Sequence, residues 1–464
     1  MAGVTPAHAS ALWLVVVNAA YTVAALVAWP VGAALAAAKK KYRRGLWERL
    51  GFVPRFDPGR PRLWVHAISV GEVEAARTFV PALAAAFPDH DVVVSTTTMT
   101  GRERARKLFP GLPVFHWPLD LLPCVALALA RVGPRAVIQV ESEWWPNFFL
   151  LAARRGIPVV VVNLRLTERG ARGYRRIRPL MRAVFNSCRA IAVQADLYAG
   201  RLRDLGAEAA RLRVTGQMKH DAVRFADTAE GAARLRQEMR IGPAAPVIVA
   251  GSTGPGEEAP LLAAFAQVRT WHPEARLVLV PRRPENFDAA AEAVLRADFG
   301  VVRRSTGRPR QATRQGGPEG PASVPPVILG DTMGELLAWY ALADVVFVGR
   351  SLMPLGGSNP MEPGALGRAI LWGPHMFNFP VEAQALAAAG AALEVADAPA
   401  LAAAMDDLLT HPDRRREMGE AARAVIRRMQ GATARNVDLV REALAGGQSP
   451  RPPGRPAPET TAHG

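Results

Sequence analysis

The feature that most constrains this chain is a rhythm of short apolar runs separated by longer amphipathic stretches. In the first half the runs fall at 63–68, 91–96, 136–140, 158–163 and 190–194, each continuous in apolar or β-branched residues. Strands covered on both faces read this way, because neither face can be given to polar side chains. Helical patterns at 72–87 and 101–108 lie between them, which predicts βαβ units and a parallel sheet. The rhythm restarts at 247–250, 277–281, 327–330, 345–349 and 370–373, after a polar, basic stretch at 220–242. Two consecutive doubly wound α/β domains are expected. In such sheets ligands bind beyond the carboxyl ends of the strands, so the chemistry is sought there.

Composition narrows the class. With 464 residues, 50% hydrophobic and 21% charged, the chain is neither disordered nor fibrous, and its length suits two domains. Two cysteines, Cys124 and Cys188, exclude a disulfide framework and a cysteine-rich zinc site, which fits a reducing compartment. The net charge of +16 admits nucleic-acid binding, an anionic membrane surface or an Arg-rich composition. Its basic residues are dispersed and no recognition module appears, so nucleic acid is not expected as a partner. No charged residue occurs between Ser10 and Ala38, a span longer than the roughly 20 apolar residues that cross a bilayer. Lys39–Arg44 (KKKYRR) follows at once, which would keep that side cytoplasmic and attract anionic lipid heads. A cleaved signal peptide is the alternative, but no basic region precedes the run. An interfacial helix is another, given Pro30 and Gly32 within it. The segment 305–326 reads as a flexible surface insertion and 446–464 as a disordered tail.

Several strand ends carry polar motifs. HAISVGEVEAA places Ser69 and Gly71 before a helix whose first turn holds Glu72 and Glu74. A carboxylate there is a common partner of the helix dipole, yet at a strand end it can also take a proton from a substrate hydroxyl. ESEWWPNFF sets Glu141 and Glu143 two residues apart, pointing the same way if the segment is extended. They could orient sugar hydroxyls or a cation, while Trp144 and Trp145 could plug the core. NLRLTERGARGYRRIRP carries Arg165, Arg169, Arg172, Arg175 and Arg176, either a solvated basic face or a grip for phosphate.

In the second half, AGSTGPGEE opens a helix with glycines that let backbone N–H groups approach an anion, although it is neither a Walker A nor a GxGxxG sequence. VPRRPENF brings Arg282 and Arg283 to a strand end, and GDTMGEL spans 330–336. A Gly-rich loop then leads to Glu362, which could cap a helix or accept hydrogen bonds from ribose hydroxyls. HExxH is absent, Asp331 lacks a DxD partner and the histidines are scattered, so no metal site is expected.

Taken in order from about Lys39 to Ala445, HAISVGEVEAA, TTTMTGRERA, ESEWWPN, NLRLTERGARGY, VTGQMKHD, AGSTGPGEE, VPRRPENF, GDTMGELLAWYALADVVFVG and GGSNPMEP resemble the 3-deoxy-D-manno-octulosonic acid (Kdo) transferases. The resemblance implies an α/β chain of two Rossmann-like domains, the GT-B glycosyltransferase fold, behind an N-terminal membrane-anchor helix. The expected parts are an anchor at 1–38, an acceptor-binding domain at 39–219, a nucleotide-sugar domain at 220–445 and the tail at 446–464. It further implies an inverting transfer of Kdo from CMP-Kdo to a lipid A precursor at the cell inner membrane, with no metal or other cofactor. Glu72 matches the catalytic carboxylate, and Ser69, Gly71, Glu141 and Arg165 fall on the acceptor side. Lys219, Ser252, Thr253, Arg282, Gly334, Glu335, Asn359 and Glu362 match the donor side. Three positions depart from the family pattern, which has His where this chain has Gly254, Arg283 and Ser358. The alternatives are a transferase using another CMP-activated acidic sugar, a nucleotide-sugar epimerase or hydrolase on the same fold, and a non-enzymatic binder of anionic lipid.

Overall fold

A computed structural model describes residues 13, 15, 17–19, 45–57, 59–222, 228–307, 309–310 and 326–445. The chain forms two compact units, Met1–Ala222 with Gln430–Gly464, and Val223–Met429.

The sheet of the first unit has seven parallel strands: β1 (Arg62–His66), β2 (Asp91–Thr96), β3 (Val114–His116), β4 (Pro134–Val140), β5 (Val159–Leu164), β6 (Ala190–Val193) and β7 (Leu212–Val214). Their spatial order is β3-β2-β1-β4-β5-β6-β7, so the direction of winding reverses between β1 and β4. Every residue of β1 and of β5 is buried. Successive side chains enter different cores, Trp64 one and Leu63 and Val65 the other. This two-sided burial is why the strands read as unbroken apolar runs.

The second unit repeats the plan with β8 (Val247–Thr253), β9 (Arg276–Pro281), β10 (Val301–Arg303), β11 (Pro309–Arg310), β12 (Val327–Leu329), β13 (Val345–Val348), β14 (Ala369–Trp372) and β15 (Ala392–Glu394). Their order is β11-β10-β12-β9-β8-β13-β14-β15. All pairs are parallel except β10 with β11.

Three differences from the sequence reading stand out. The helical stretch expected at 72–87 is two helices, Val70–Ala75 and Phe79–Ala86. The insertion expected at 305–326 is tied down at its start, where Ser305 donates from N and Oγ to Asp331 and Pro309–Arg310 form the edge strand. Residue 308 and residues 311–325 of that stretch lie outside the described residues. The helix Ala432–Ala445, expected with the second domain, belongs to the first unit. Asp221 fixes its start by accepting from the Gly431 and Thr433 amides, and Thr215 Oγ1 donates to the buried Asn436 at 3.1 Å. The expected anchor at 1–38 lies outside the described residues except for 13, 15 and 17–19, as do Lys39–Arg44 and the tail 446–464. Among the described residues no helix is long and apolar enough to cross a membrane. Asn18 exchanges amide hydrogen bonds of 2.9 and 3.3 Å with Asn147.

Candidate functional site

In the first unit, six of the expected residues, Ser69, Gly71, Glu72, Glu141, Arg165 and Lys219, gather with Glu143 and Asn163 at the carboxyl ends of β1, β4, β5 and β7. Ser69 is the N-cap of Val70–Ala75 and forms a capping box with Glu72. The Ser69 amide donates to Glu72 Oε2 at 3.0 Å, its hydroxyl donates to the same oxygen, and the Gly71 amide donates to Ser69 Oγ at 3.3 Å. Such a box satisfies helix-end donors reciprocally and fixes the carboxylate in place. The two sequence readings of Glu72 are therefore compatible, because the cap orients the group whose second oxygen can do chemistry.

Glu141 departs from the extended geometry expected of it: its φ of 65° is left-handed, so it and Glu143 are not held on one face by strand alternation. Both nonetheless lie within reach of the Glu72 charge. Burial raises the Glu141 carboxyl above its ordinary range, Glu72 adds to this, and Lys219 and Arg165 oppose it. Asn163 Nδ2 donates to Glu141 Oε1 at 3.3 Å, and Asn163 Oδ1 accepts from the Met218 amide at 2.9 Å, tying the strand end to Lys219. Lys219, expected on the donor side, thus stands in the first unit beside Glu141.

Glu143 is pushed up to about 7, first by burial and then by the Glu72 charge. Trp145 stands near enough to oppose this shift, but its indole N–H and Glu143 Oε2 are both buried without a hydrogen-bond partner among the described residues. Trp144 serves as the expected core plug, edge-on to Phe185 at 4.8 Å. Between the ordinary 4.5 and about 7, the folded chain holds a proton on Glu143 that the unfolded chain has released. Stability therefore falls as pH rises through that window. Glu143→Gln is expected to melt higher than the parent at a pH of about 8 and to lose this advantage at about 4.5. A stability difference that does not change with pH would contradict the assignment.

Beyond β5, the helix Glu168–Arg175 presents Arg169, Arg172 and Gly173, which with Arg176 line a cavity of about 460 Å³. Among the described residues no carboxylate pairs with these three arginines, whereas Arg175 pairs with Glu168 at 3.3 Å. Tyr174 on the same helix is raised by burial and by the Glu143 charge, so the cavity's helix borders the carboxylate cluster.

The second unit gathers its own set at the ends of β8, β9 and β13. Ser252 has a left-handed φ of 57° and its carbonyl accepts from Ser358 Oγ at 3.1 Å. Thr253 is 1% exposed and its Oγ1 has no partner among the described residues. Burial raises the Glu362 carboxyl, opposed by a 3.3 Å hydrogen bond from Asn359 Nδ2 and by the Arg282 charge. Arg350 is depressed by burial and then by the guanidinium groups of Arg282 and Arg283, which places three arginines together.

Two expectations are corrected here. The turn after β8 does not offer free N–H groups at its glycines: the Gly254 amide donates to Glu257 Oε2 at 2.8 Å, the Gly256 amide to Glu258 Oε2 at 3.0 Å, and residue 255 is proline. Glu335 is already held by Arg304 at 3.0 Å, Arg234 at 3.3 Å and Thr332. No hydrogen bond or ion pair among the described residues joins it or Gly334 to Arg282, Asn359 or Glu362. Sequence reasoning weighed Glu143 beside Glu141 but assigned it no role, and it left out Asn163, Glu257 and Arg350. Asn163 and Glu257 lay inside the quoted motifs NLRLTERGARGY and AGSTGPGEE; Arg350 gave no signal of spacing or type.

Two parallel-sheet α/β units with polar clusters at their strand ends are the architecture of GT-B glycosyltransferases. The chain is similar in fold to the glycosyltransferase from Rickettsia africae ESF-5, with a TM-score of 0.54 and 12% identity over 84% of this chain and 99% of that one. A family model for 3-deoxy-D-manno-octulosonic-acid transferase matches residues 44–222. The 3-deoxy-D-manno-octulosonic acid transferase of Haemophilus influenzae is 34% identical over 87% of this chain and 92% of its own length. That of Bordetella pertussis is 35% identical over 82% and 87%. The chain belongs to the 3-deoxy-D-manno-octulosonic acid transferase family, and it is a glycosyltransferase.

Proposed function

We propose that the protein transfers Kdo from CMP-Kdo to a lipid A precursor, with inversion at the anomeric carbon. The observation that carries the reading is Glu72, fixed by its cap at a strand end and close enough for its charge to act on both Glu141 and Glu143. Glu72 takes the proton from an acceptor sugar hydroxyl. The freed oxygen attacks the anomeric carbon of Kdo, and the bond to the phosphate oxygen breaks with its electron pair remaining on CMP. The products are CMP and the Kdo-bearing lipid, and attack opposite the leaving group inverts the centre.

Ser69, Gly71, Glu141 and Arg165 bound the acceptor's reacting sugar. The cavity lined by Arg169, Arg172 and Arg176 suits a phosphate of the acceptor, since guanidinium groups bind phosphate bidentately. Lys219 supplies positive charge next to Glu141. On the donor side Ser252, Thr253, Arg282, Asn359 and Glu362 hold the nucleotide sugar, with Glu362 on the ribose hydroxyls. Gly334 and Glu335 stand on the same side, where Glu335 is engaged by Arg304 and Arg234. No resident metal is assigned; the arginines offset the charge of the leaving phosphate. The apolar segment at 10–38 and Lys39–Arg44 would hold the enzyme on the cytoplasmic face of the inner membrane, against anionic lipid.

The test supplies CMP-Kdo and a lipid A precursor to the purified full chain and follows lipid mass and CMP. A lipid heavier by one or more Kdo residues is expected. CMP release with unchanged lipid would point to a hydrolase instead, and no reaction with CMP-Kdo would overturn the donor.

A further inference from the structure

The corrected turn after β8 leaves the second unit without the backbone cradle expected for an anion, because Glu257 and Glu258 accept from the glycine amides. Positive charge must come from side chains. Arg282 and Arg283 follow β9, while Arg350 follows β13, and both strands adjoin β8. Arg350 holds a left-handed φ of 63°, a conformation that costs a residue with a side chain and is kept only when its surroundings enforce it. They do: the Arg350 amide donates to Glu257 Oε2 at 2.5 Å, and its carbonyl accepts from the Gly357 amide at 2.7 Å. Its side chain runs across Gly254, where an added Cβ would lie 3.1 Å from Arg350 Cγ and 2.5 Å from Leu355 Cδ1. One guanidinium nitrogen, Nη2, donates to the Leu355 carbonyl at 2.9 Å; among the described residues no carboxylate pairs with the group. Beside it, Gly349 packs directly against the Thr253 backbone, and Thr253 Oγ1 is buried without a hydrogen-bond partner among the described residues.

We infer that Arg350, laid over Gly254 and grouped with Arg282 and Arg283, is a donor-binding residue that grips an anionic group of the nucleotide sugar. This rests on the donor reading above, since CMP-Kdo offers two such groups, the phosphate and the sugar carboxylate. Gly254 is small so that Arg350 can cross it. Arg350 is held in a strained conformation so that its charge stands beside Arg282.

Calorimetry with CMP and with CMP-Kdo, together with transfer kinetics, tests this on the full chain. Arg350→Gly is expected to raise the donor KM about tenfold, the loss of a charge-assisted contact, with kcat changed less than about twofold. Its melting temperature should stay within about 2 °C, because glycine accepts the left-handed φ without strain. Arg350→Lys should recover part of the affinity. Gly254→Ala should raise the donor KM by displacing Arg350, and should add less in the Arg350→Gly background. Equal weakening of CMP and CMP-Kdo assigns the grip to the phosphate; weakening of CMP-Kdo alone assigns it to the carboxylate. Unchanged donor affinity in Arg350→Gly, with both ligands still bound by the parent, overturns the inference alone. A parent that binds neither ligand overturns the donor reading and the inference with it.

Discussion

Replacing Glu72 by Gln is expected to lower kcat for Kdo transfer by about 10²–10⁴-fold, the range that loss of a general base costs. The choice of Gln matters because Glu72 has two duties. Its Oε2 accepts from the Ser69 amide and hydroxyl, and a Gln carbonyl can keep both hydrogen bonds. The helix Val70–Ala75 should therefore keep its start, and KM for either substrate should change little. Glu72→Ala loses the cap as well, adding a stability cost of about 1 kcal/mol that would blur the reading. A second consequence follows from charge. The Glu72 carboxylate is one cause of the elevated Glu143 carboxyl, so Glu72→Gln should shift the Glu143 titration downward from about 7. Turnover within tenfold of the parent would remove Glu72 from the base role whatever the titration does.

Glu257→Ala is expected to be the most destabilising change in the second unit. The carboxylate is wholly buried, and each oxygen accepts two backbone amides: Gly254 at 2.8 Å and Arg350 at 2.5 Å on Oε2, Ser351 at 2.7 Å and Leu352 at 2.9 Å on Oε1. Alanine would leave four donors facing a void. Each buried unpaired group costs about 1–3 kcal/mol, and relaxation of the loop would recover part of that, leaving about 3–5 kcal/mol. For a unit of this size that is a fall of roughly 6–20 °C in its melting transition, measurable by calorimetry. Glu257→Gln separates geometry from charge: it offers one acceptor oxygen instead of two and should fall between parent and Ala. A melting transition unchanged in Glu257→Ala would show that the loop 350–352 is held by other contacts. Because Arg350 hangs from the same carboxylate, donor affinity should fall together with stability in both variants.

The long apolar runs announced the two sheets, since burial on both faces of β1, β5, β8 and β9 keeps polar residues to the ends of these strands. Four strands of three residues, β3, β7, β10 and β15, escaped because so short a run has no measurable period, whereas β12, equally short, showed itself by being wholly apolar, VIL. The break between Val70–Ala75 and Phe79–Ala86 carries no Gly or Pro and preserves amphipathic spacing, so periodicity passes over it. At the site, Glu72 was legible because motif and strand end coincide. Glu257 was not, since a carboxylate early in a helix reads as a solvent-facing partner of the dipole rather than a buried anchor. Arg350 was not legible either: nothing in GRSL announces a left-handed arginine, and only its packing over Gly254 gives that departure from the family pattern a structural partner.

The helix Ala432–Ala445 makes the first unit discontinuous in sequence, with all of the second unit inserted before its last layer. During synthesis the second unit is complete while the first still lacks Ala432, Val437, Leu439, Val440 and Ala443, all part of its apolar core. A nascent chain ending near residue 430 thus exposes one face of the β4, β5 and β6 sheet that these side chains later cover. The order of maturation is reversed from the order of sequence: the second unit can close first, and the unit that carries Glu72 closes only after the helix Ala432–Ala445 has left the ribosome.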